Sequence, residues 1–244
     1  MESTFISSAR PLAVITNASS GIGYELAKVF AKNNFDLLVV SEDVGIMDAS
    51  NSFLQFGGSV DSIQANLATY DGVEKLYRKI QTLEKPVDSL VLNTGADVNG
   101  KFLKNNLEEE LNLIQLNIVS LVHLTKRVLP EMVDAGQGHI LLTSPFATQI
   151  PKPIHAVYCA SKAFIQSFAD QIGRELQDTG IGVTSFQPVD IETNTKVAEH
   201  AFAAMMIGRD HVVAGSFKNK IHAAVTKFIS EQQGANIQSA STKT

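Results

Sequence analysis

The chain has 244 residues, 44% of them hydrophobic and 18% charged, and carries a formal net charge of −5. That length suits one α/β domain with a sizeable core, and the mildly acidic balance argues against a nucleic-acid surface, which needs clustered Lys and Arg. No run approaches the ~18 apolar residues of a membrane span, the start MESTFISSARPLAVIT lacks the basic region of a signal peptide, and the lone Cys159 rules out an internal disulfide.

Apolar runs of strand length alternate with longer segments of helical period. The strands expected are Leu12–Thr16, Leu37–Val40, Ser59–Ala65, Val87–Leu92, His139–Thr143, Gly182–Phe186 and His211–Ala214. Most are Val, Ile and Leu without polar alternation, as strands buried on both faces should be. Between them, helices are expected at Gly21–Asn33, Gly45–Phe56, Tyr70–Leu83, Asn105–Asp134, Val157–Asp178 and Lys196–Ile207, with a last one at Ser216–Ser230. This rhythm predicts a single α/β domain over residues 10–230, a Rossmann-type doubly wound parallel sheet with helices on both faces. Residues 1–9 form an arm before it. The polar stretch 231–244 lacks periodicity and is expected to be a disordered tail.

The turn after the first strand, TNASSGIG, places Gly21 and Gly23 where a helix opens. A helix N-terminus offers unpaired amides and a positive dipole end, and small residues let a pyrophosphate approach the backbone. A tight strand–helix turn without a ligand would use the same glycines. Position favours the nucleotide, because the turn lies between two buried strands in a unit of dinucleotide-binding length. No G-K-[ST] follows, which excludes a P-loop, and no G-x-S-x-G occurs, which excludes a nucleophile elbow.

Several motifs together make the chain resemble the short-chain dehydrogenases/reductases over about residues 10 to 225. The family's T-G-x-x-x-G-I-G is matched by Thr16-Asn17-Ala18-Ser19-Ser20-Gly21-Ile22-Gly23, with Asn17 in place of the first glycine. Asn tolerates positive φ better than other non-glycine residues, so the turn survives. The family's N-N-A-G turn looks like Leu92-Asn93-Thr94-Gly95, its mid-helix asparagine matches Asn117, and its Y-x-x-x-K matches Tyr158 and Lys162. The resemblance implies an oxidoreductase that moves hydride between a nicotinamide cofactor and a small alcohol/carbonyl pair. It also implies a cofactor held by Thr16, Asn17, Ser19, Ser20, Gly21, Ile22, Gly23, Asn93, Gly95, Tyr158 and Lys162, without a metal.

Cofactor choice is expected at the end of the second strand, LLVVSED. A carboxylate there accepts hydrogen bonds from ribose hydroxyls, whereas an arginine pairs the 2′-phosphate of NADP. Counting from Gly23, the resemblance places the family's NAD-type aspartate at Ser41 and its NADP-type arginine at Glu42. Glu42 and Asp43 supply negative charge and no cation, so NAD(H) is expected over NADP(H); a merely solvated acidic turn is the alternative. Asn66, followed by Leu67, takes the place of the family's aspartate near the adenine.

Tyr158 and Lys162 fall at i and i+4, on one face of a helix. A free phenol has a pKa of roughly 10, and a nearby ammonium favours its phenolate. Such a tyrosine can exchange the proton of an alcohol or carbonyl. The resemblance further implies that Lys162 holds the nicotinamide ribose and Asn117 supports a water relay. The family's catalytic serine falls on Pro145, which has neither hydroxyl nor amide hydrogen. Ser144 is adjacent but on the opposite strand face unless the strand end bulges, and Thr143 has the right parity one step deeper. Pro188-Val189-Asp190-Ile191-Glu192-Thr193 resembles the family's P-G-x-T-x-T, with Val189 and Ile191 as departures beside the nicotinamide. The short connection from Thr193 to His211 leaves little chain for a substrate lid.

These readings predict a cytoplasmic oxidoreductase with catalytic Tyr158, Lys162, Asn117 and Ser144, its activity weakened by Pro145. A non-catalytic NAD-binding regulatory or partner-binding protein is the alternative. Family members commonly pair the two long helices across subunits, and Leu113, Leu116, Val119, Phe164 and Phe168 are the apolar positions expected at a homodimer or homotetramer interface.

Overall fold

The computed structural model describes residues 10–94, 100–143, 156–188, 194–208 and 211–214. The chain forms β1 (Leu12–Thr16), α1 (Gly21–Lys32), β2 (Asp36–Ser41), α2 (Ile46–Phe53), β3 (Val60–Gln64), α3 (Tyr70–Thr82), β4 (Val87–Asn93) and α4 (Leu107–Ile114). It continues through α5 (Ser120–Ala135), β5 (Gly138–Thr143), α6 (Ala156–Glu175), β6 (Ile181–Pro188), α7 (Asn194–Met206) and β7 (His211–Ala214). The seven strands lie in the order β3-β2-β1-β4-β5-β6-β7, every pair parallel. The order reverses between β1 and β4, which opens a crevice at the carboxyl ends of those strands.

Strand pleating sorts the apolar side chains onto two faces. Ala13, Ile15, Val91 and Leu141 pack with α1, α2 and α7 on one side. Leu12, Val14, Leu90, Leu92, Ile140 and Leu142 pack with α3, α5 and α6 on the other. Phe30 of α1 meets Phe202 of α7 edge-on at 4.8 Å and Phe35 at 5.0 Å, each pair contributing about 0.5–1.5 kcal/mol beyond its burial. β3 departs from the pattern: as an edge strand it is only half-buried.

Two expected elements take a different form. The helix expected over Gly45–Phe56 ends at Phe53 and tightens into a 3-10 turn at Leu54–Phe56, closed by Gly57 at φ 80°. The helix expected over Asn105–Asp134 is α4 and α5 joined by a π turn at Gln115–Val119. The Ser120 hydroxyl donates to the Leu116 carbonyl at 2.6 Å within this widened turn. Because a π turn inserts a residue, the exposed stripe changes phase. Leu113 is buried at 1% exposure, and Leu116 and Phe168 pack against the core. Of the interface residues expected, Val119 is exposed, and with it Leu103, Leu107, Leu111 and Val122. The helix expected at Ser216–Ser230 lies outside the described residues.

Candidate active site

The four strands around the crevice end in polar side chains buried beneath it. Thr16, Ser41, Asn93 and Thr143 close β1, β2, β4 and β5, and all four are buried. Thr16 Oγ1 accepts from the Asn93 amide at 2.9 Å and donates to the Asn93 carbonyl at 3.0 Å. Thr143 Oγ1 donates to Asn93 Oδ1 at 2.7 Å, and Asn93 Nδ2 donates to the Asn17 carbonyl at 3.4 Å. Asn93 therefore ties three strand ends to the first turn.

That turn has the conformation its glycines and asparagine imply. Asn17 sits at φ 52° and Gly21 at φ 59°, values that Asn and Gly tolerate best. A Cβ on Gly21 would meet nothing within 4 Å, whereas one on Gly23 would lie 2.0 Å from the Asn17 carbonyl oxygen. Gly21 thus faces open space and Gly23 packs helix against turn. Ser20, the N-cap of α1, makes no capping hydrogen bond through its side chain, and the first turn holds no acidic residue. The amides and the positive end of α1 are left to face the crevice.

Two clefts meet there. The first, open to solvent, spans about 560 Å³ and is lined by Ser41, Glu42, Leu67, Leu116, Ser120 and Leu124. The second encloses about 730 Å³, lined by Ser20, Gly21, Ile22, Thr143, Phe186 and Asn194. Asn17, Asn93 and Thr94 line both.

At the mouth of the first cleft, Ser19 and Ser41 share a hydrogen bond at 3.0 Å between their hydroxyls. The Glu42 carboxylate accepts from Asn66 Nδ2 at 2.8 Å, and Asn66 Oδ1 accepts from the Ala68 amide at 2.8 Å. Asn66 does not line the cleft itself; it orients Glu42. An aspartate in its place would repel that carboxylate instead of donating to it.

α6 brings in the tyrosine–lysine pair. Lys162 is fully buried, and its Nζ donates to both the carbonyl and the hydroxyl of Thr94, each at 3.0 Å. Its ammonium lies 5.2 Å from the Tyr158 ring centre. Ser161, between them, donates to the Tyr158 carbonyl at 2.8 Å and accepts from Asn117 Nδ2 at 3.1 Å. Asn117 is fully buried in the π turn, so this bond ties that turn to α6.

Of the residues expected at the site, Thr16, Asn17, Ser41, Glu42, Leu67 and Asn93 line the first cleft and Ser20, Gly21 and Ile22 the second, whereas Tyr158, Lys162 and Asn117 lie beside them without lining either. Ser144, Pro145, Gly95, Val189 and Ile191 lie outside the described residues; Pro188 ends β6. Thr94 was not among the site residues expected, although it stands inside the quoted turn Leu92-Asn93-Thr94-Gly95; a hydroxyl at that place was the available signal. The chain between Thr193 and His211 contains α7, which buries Val197, Ala198 and Ala201 in the core. Among the described residues, no group of His, Cys, Asp and Glu is placed to hold a metal ion, and no helix is long and apolar enough to cross a membrane.

A family model described as short chain dehydrogenase matches residues 11–203. The chain is 26% identical over 215 residues to the ketoacyl reductase HetN of Nostoc sp., covering 85% of this chain and 75% of that protein. It is 27% identical over 210 residues to a very-long-chain 3-oxoacyl-CoA reductase of Mycosarcoma maydis, covering 82% of this chain and 59% of that protein. Among solved structures, an alcohol dehydrogenase of Comamonas testosteroni specific for bulky-bulky ketones superposes with a TM-score of 0.79 at 22% identity, covering 93% and 94% of the two chains. A short-chain dehydrogenase of Sphingobium yanoikuyae in complex with NADPH gives a TM-score of 0.78 at 23% identity, covering 93% and 95%.

Proposed function

The chain belongs to the short-chain dehydrogenase family, and from that premise we propose that it is a nicotinamide-dependent oxidoreductase interconverting an alcohol and a carbonyl, with NAD(H) preferred to NADP(H). The observation that carries the proposal is the burial of Lys162 against Thr94, which lines both clefts, with Tyr158 one helical turn before it on α6. A fully buried ammonium is costly unless hydrogen bonds satisfy it, and those to Thr94 hold this one beneath the clefts.

The residues present fit a dinucleotide. The uncapped first turn of α1 and the open side of Gly21 suit a pyrophosphate. Glu42, oriented by Asn66, suits the adenosine ribose hydroxyls. A bound nicotinamide supplies or takes the hydride. Tyr158 exchanges the proton of the substrate oxygen, and Lys162 places positive charge beside the phenol. Asn117 fixes α6 through Ser161.

Two solved neighbours are described with NADPH and NADP, and the preference argued here rests on this chain's own carboxylate. A 2′-phosphate set against Glu42 meets like charge at the position where the family's NADP-type arginine would stand, while Ser41 takes the place of the NAD-type aspartate. The two relatives described above are named as ketoacyl and 3-oxoacyl-CoA reductases, which makes 3-oxoacyl thioesters the first carbonyls to try. A second reading, nucleotide binding without turnover, is favoured by Pro145 and by the engagement of the Thr143 hydroxyl with Asn93. The exposed Leu103, Leu107, Leu111 and Val122 support a homo-oligomer, which light scattering would resolve from a 26.4 kDa monomer.

Titration with NADH and NADPH, followed by turnover on a carbonyl panel, tests the proposal. NADH should bind more tightly, and Glu42→Arg should narrow or reverse the gap. No binding of either nucleotide at millimolar concentration would overturn it, and equal or tighter NADPH binding by the native chain would overturn the preference.

A further inference from the structure

The side chain of Thr94 is placed to do more than close a turn. It is 7% exposed, lines both clefts, and seats the Lys162 ammonium on its carbonyl and its hydroxyl at 3.0 Å each. Because an ammonium only donates, Thr94 Oγ1 is the acceptor in that contact, and its own proton remains to be given away. Among the described residues that proton meets no acceptor. A buried donor without an acceptor costs free energy, and one that lines a cleft is satisfied by whatever occupies the cleft.

We propose that Thr94 is a cofactor-contacting residue, whose hydroxyl accepts from Lys162 and donates to an oxygen of the nicotinamide-side ribose of a dinucleotide at the junction of the two clefts. The inference rests on the dinucleotide reading above. The neighbouring cation polarises the hydroxyl and strengthens the bond it donates. Thr94 thus carries the charge of Lys162 one atom further into the cleft. The pattern that the turn resembles has alanine here, so this contact is particular to a chain with a hydroxyl at that position.

The test is fluorescence titration of the full chain with NADH, alongside AMP, which lacks the second ribose. Thr94→Val keeps the shape and removes the donor; it should weaken NADH by about tenfold, the scale of one hydrogen bond. Thr94→Ser should bind NADH within about threefold of the native chain, since it keeps the hydroxyl. AMP should bind all three proteins alike. If Thr94→Val does not fold, Thr94→Ala supplies the same comparison. NADH affinity unchanged in Thr94→Val or Thr94→Ala overturns the proposal. So does a parallel loss for AMP, which would mark Thr94 as a purely structural support. Failure of the native chain to bind NADH or NADPH at all would sink the dinucleotide reading itself, and this contact with it.

Discussion

The hydroxyl of Thr143 donates to the side-chain carbonyl of Asn93 at 2.7 Å, joining the ends of β5 and β4, whose registers place the two residues opposite each other. Thr143 is the nearest hydroxyl of the right strand parity to Pro145, and its proton is already spent. It does not stand in for a missing serine; it holds Asn93, which in turn holds the first turn.

Thr143→Val should therefore act on stability before chemistry. The variant keeps its volume and leaves Asn93 Oδ1 buried without its donor, a cost of about 1–3 kcal/mol. Urea unfolding should show that loss, and Thr143→Ser should recover most of it. A Thr143→Val protein of native stability with turnover abolished would instead make Thr143 a donor to substrate.

Gly23 should tolerate no side chain. A Cβ there would sit 2.0 Å from the Asn17 carbonyl oxygen and 2.6 Å from Asn93 Nδ2, and the first of these is backbone that cannot swing aside. Gly23→Ala is expected to lose about 1–3 kcal/mol of stability by overpacking and to weaken NADH at least tenfold by displacing α1. Gly21→Ala is a contrasting case, in which the penalty comes from φ 59° alone, about 1–2 kcal/mol. Calorimetric melts with and without NADH separate the two effects. Native-like NADH affinity in Gly23→Ala would show that this packing does not shape the nucleotide site.

Much of the fold was legible because parallel strands buried on both faces are nearly pure Val, Ile and Leu. β1, β4 and β5 match the expected spans to within a residue. β3 matches as well, and β6 was less sharp, running Ile181–Pro188 where Gly182–Phe186 was expected. The π turn at Gln115–Val119 was not legible, because hydrophobic period reports which face is apolar and not how carbonyls pair. Leu113, expected at an interface, is buried within the chain instead. The left-handed turn at Asn17 was legible from its place in the motif, and the structure gives it φ 52°. Thr94 was not, because a turn residue's hydroxyl becomes functional only when a residue 68 positions away in sequence is brought against it.

Asp36 governs a pH effect remote from the crevice. Burial alone would raise its carboxyl, but the Lys85 ammonium at 2.5 Å and the Ser59 amide at 2.8 Å outweigh it and hold the group below the ordinary aspartate value. A depressed folded value stabilises the fold above the unfolded value of about 3.9, and that contribution is lost as pH falls through the folded value. Asp36→Asn keeps an acceptor for the Ser59 amide and removes the charge. It should cost about 1 kcal/mol at pH 7 and almost nothing at pH values below the folded value. Urea melts near neutrality and in acid should show the gap closing. A gap that persists undiminished in acid would mean that the loss is not electrostatic.

Pro145 supplies the last and sharpest expectation. It lies outside the described residues, but Thr143, two positions before it, is committed to Asn93, so among the described residues the end of β5 offers the reacting oxygen no spare hydroxyl. One preorganised donor of this kind is worth about 10²–10³ in kcat. A loss that size slows a dehydrogenase without removing the proton transfer that Tyr158 provides. Pro145→Ser should raise turnover on a carbonyl substrate by about 10²-fold or more while NADH affinity stays native, because the new hydroxyl would act on substrate and not on nucleotide. Tyr158→Phe should remove the residual rate in either background. Two results would count against this account. If Ser144→Ala abolishes a native rate of ordinary size, Ser144 is the working hydroxyl and the strand end bulges to present it. If Pro145→Ser and the native chain both bind NADH and neither reduces any carbonyl, the site has kept its cofactor residues and given up the chemistry.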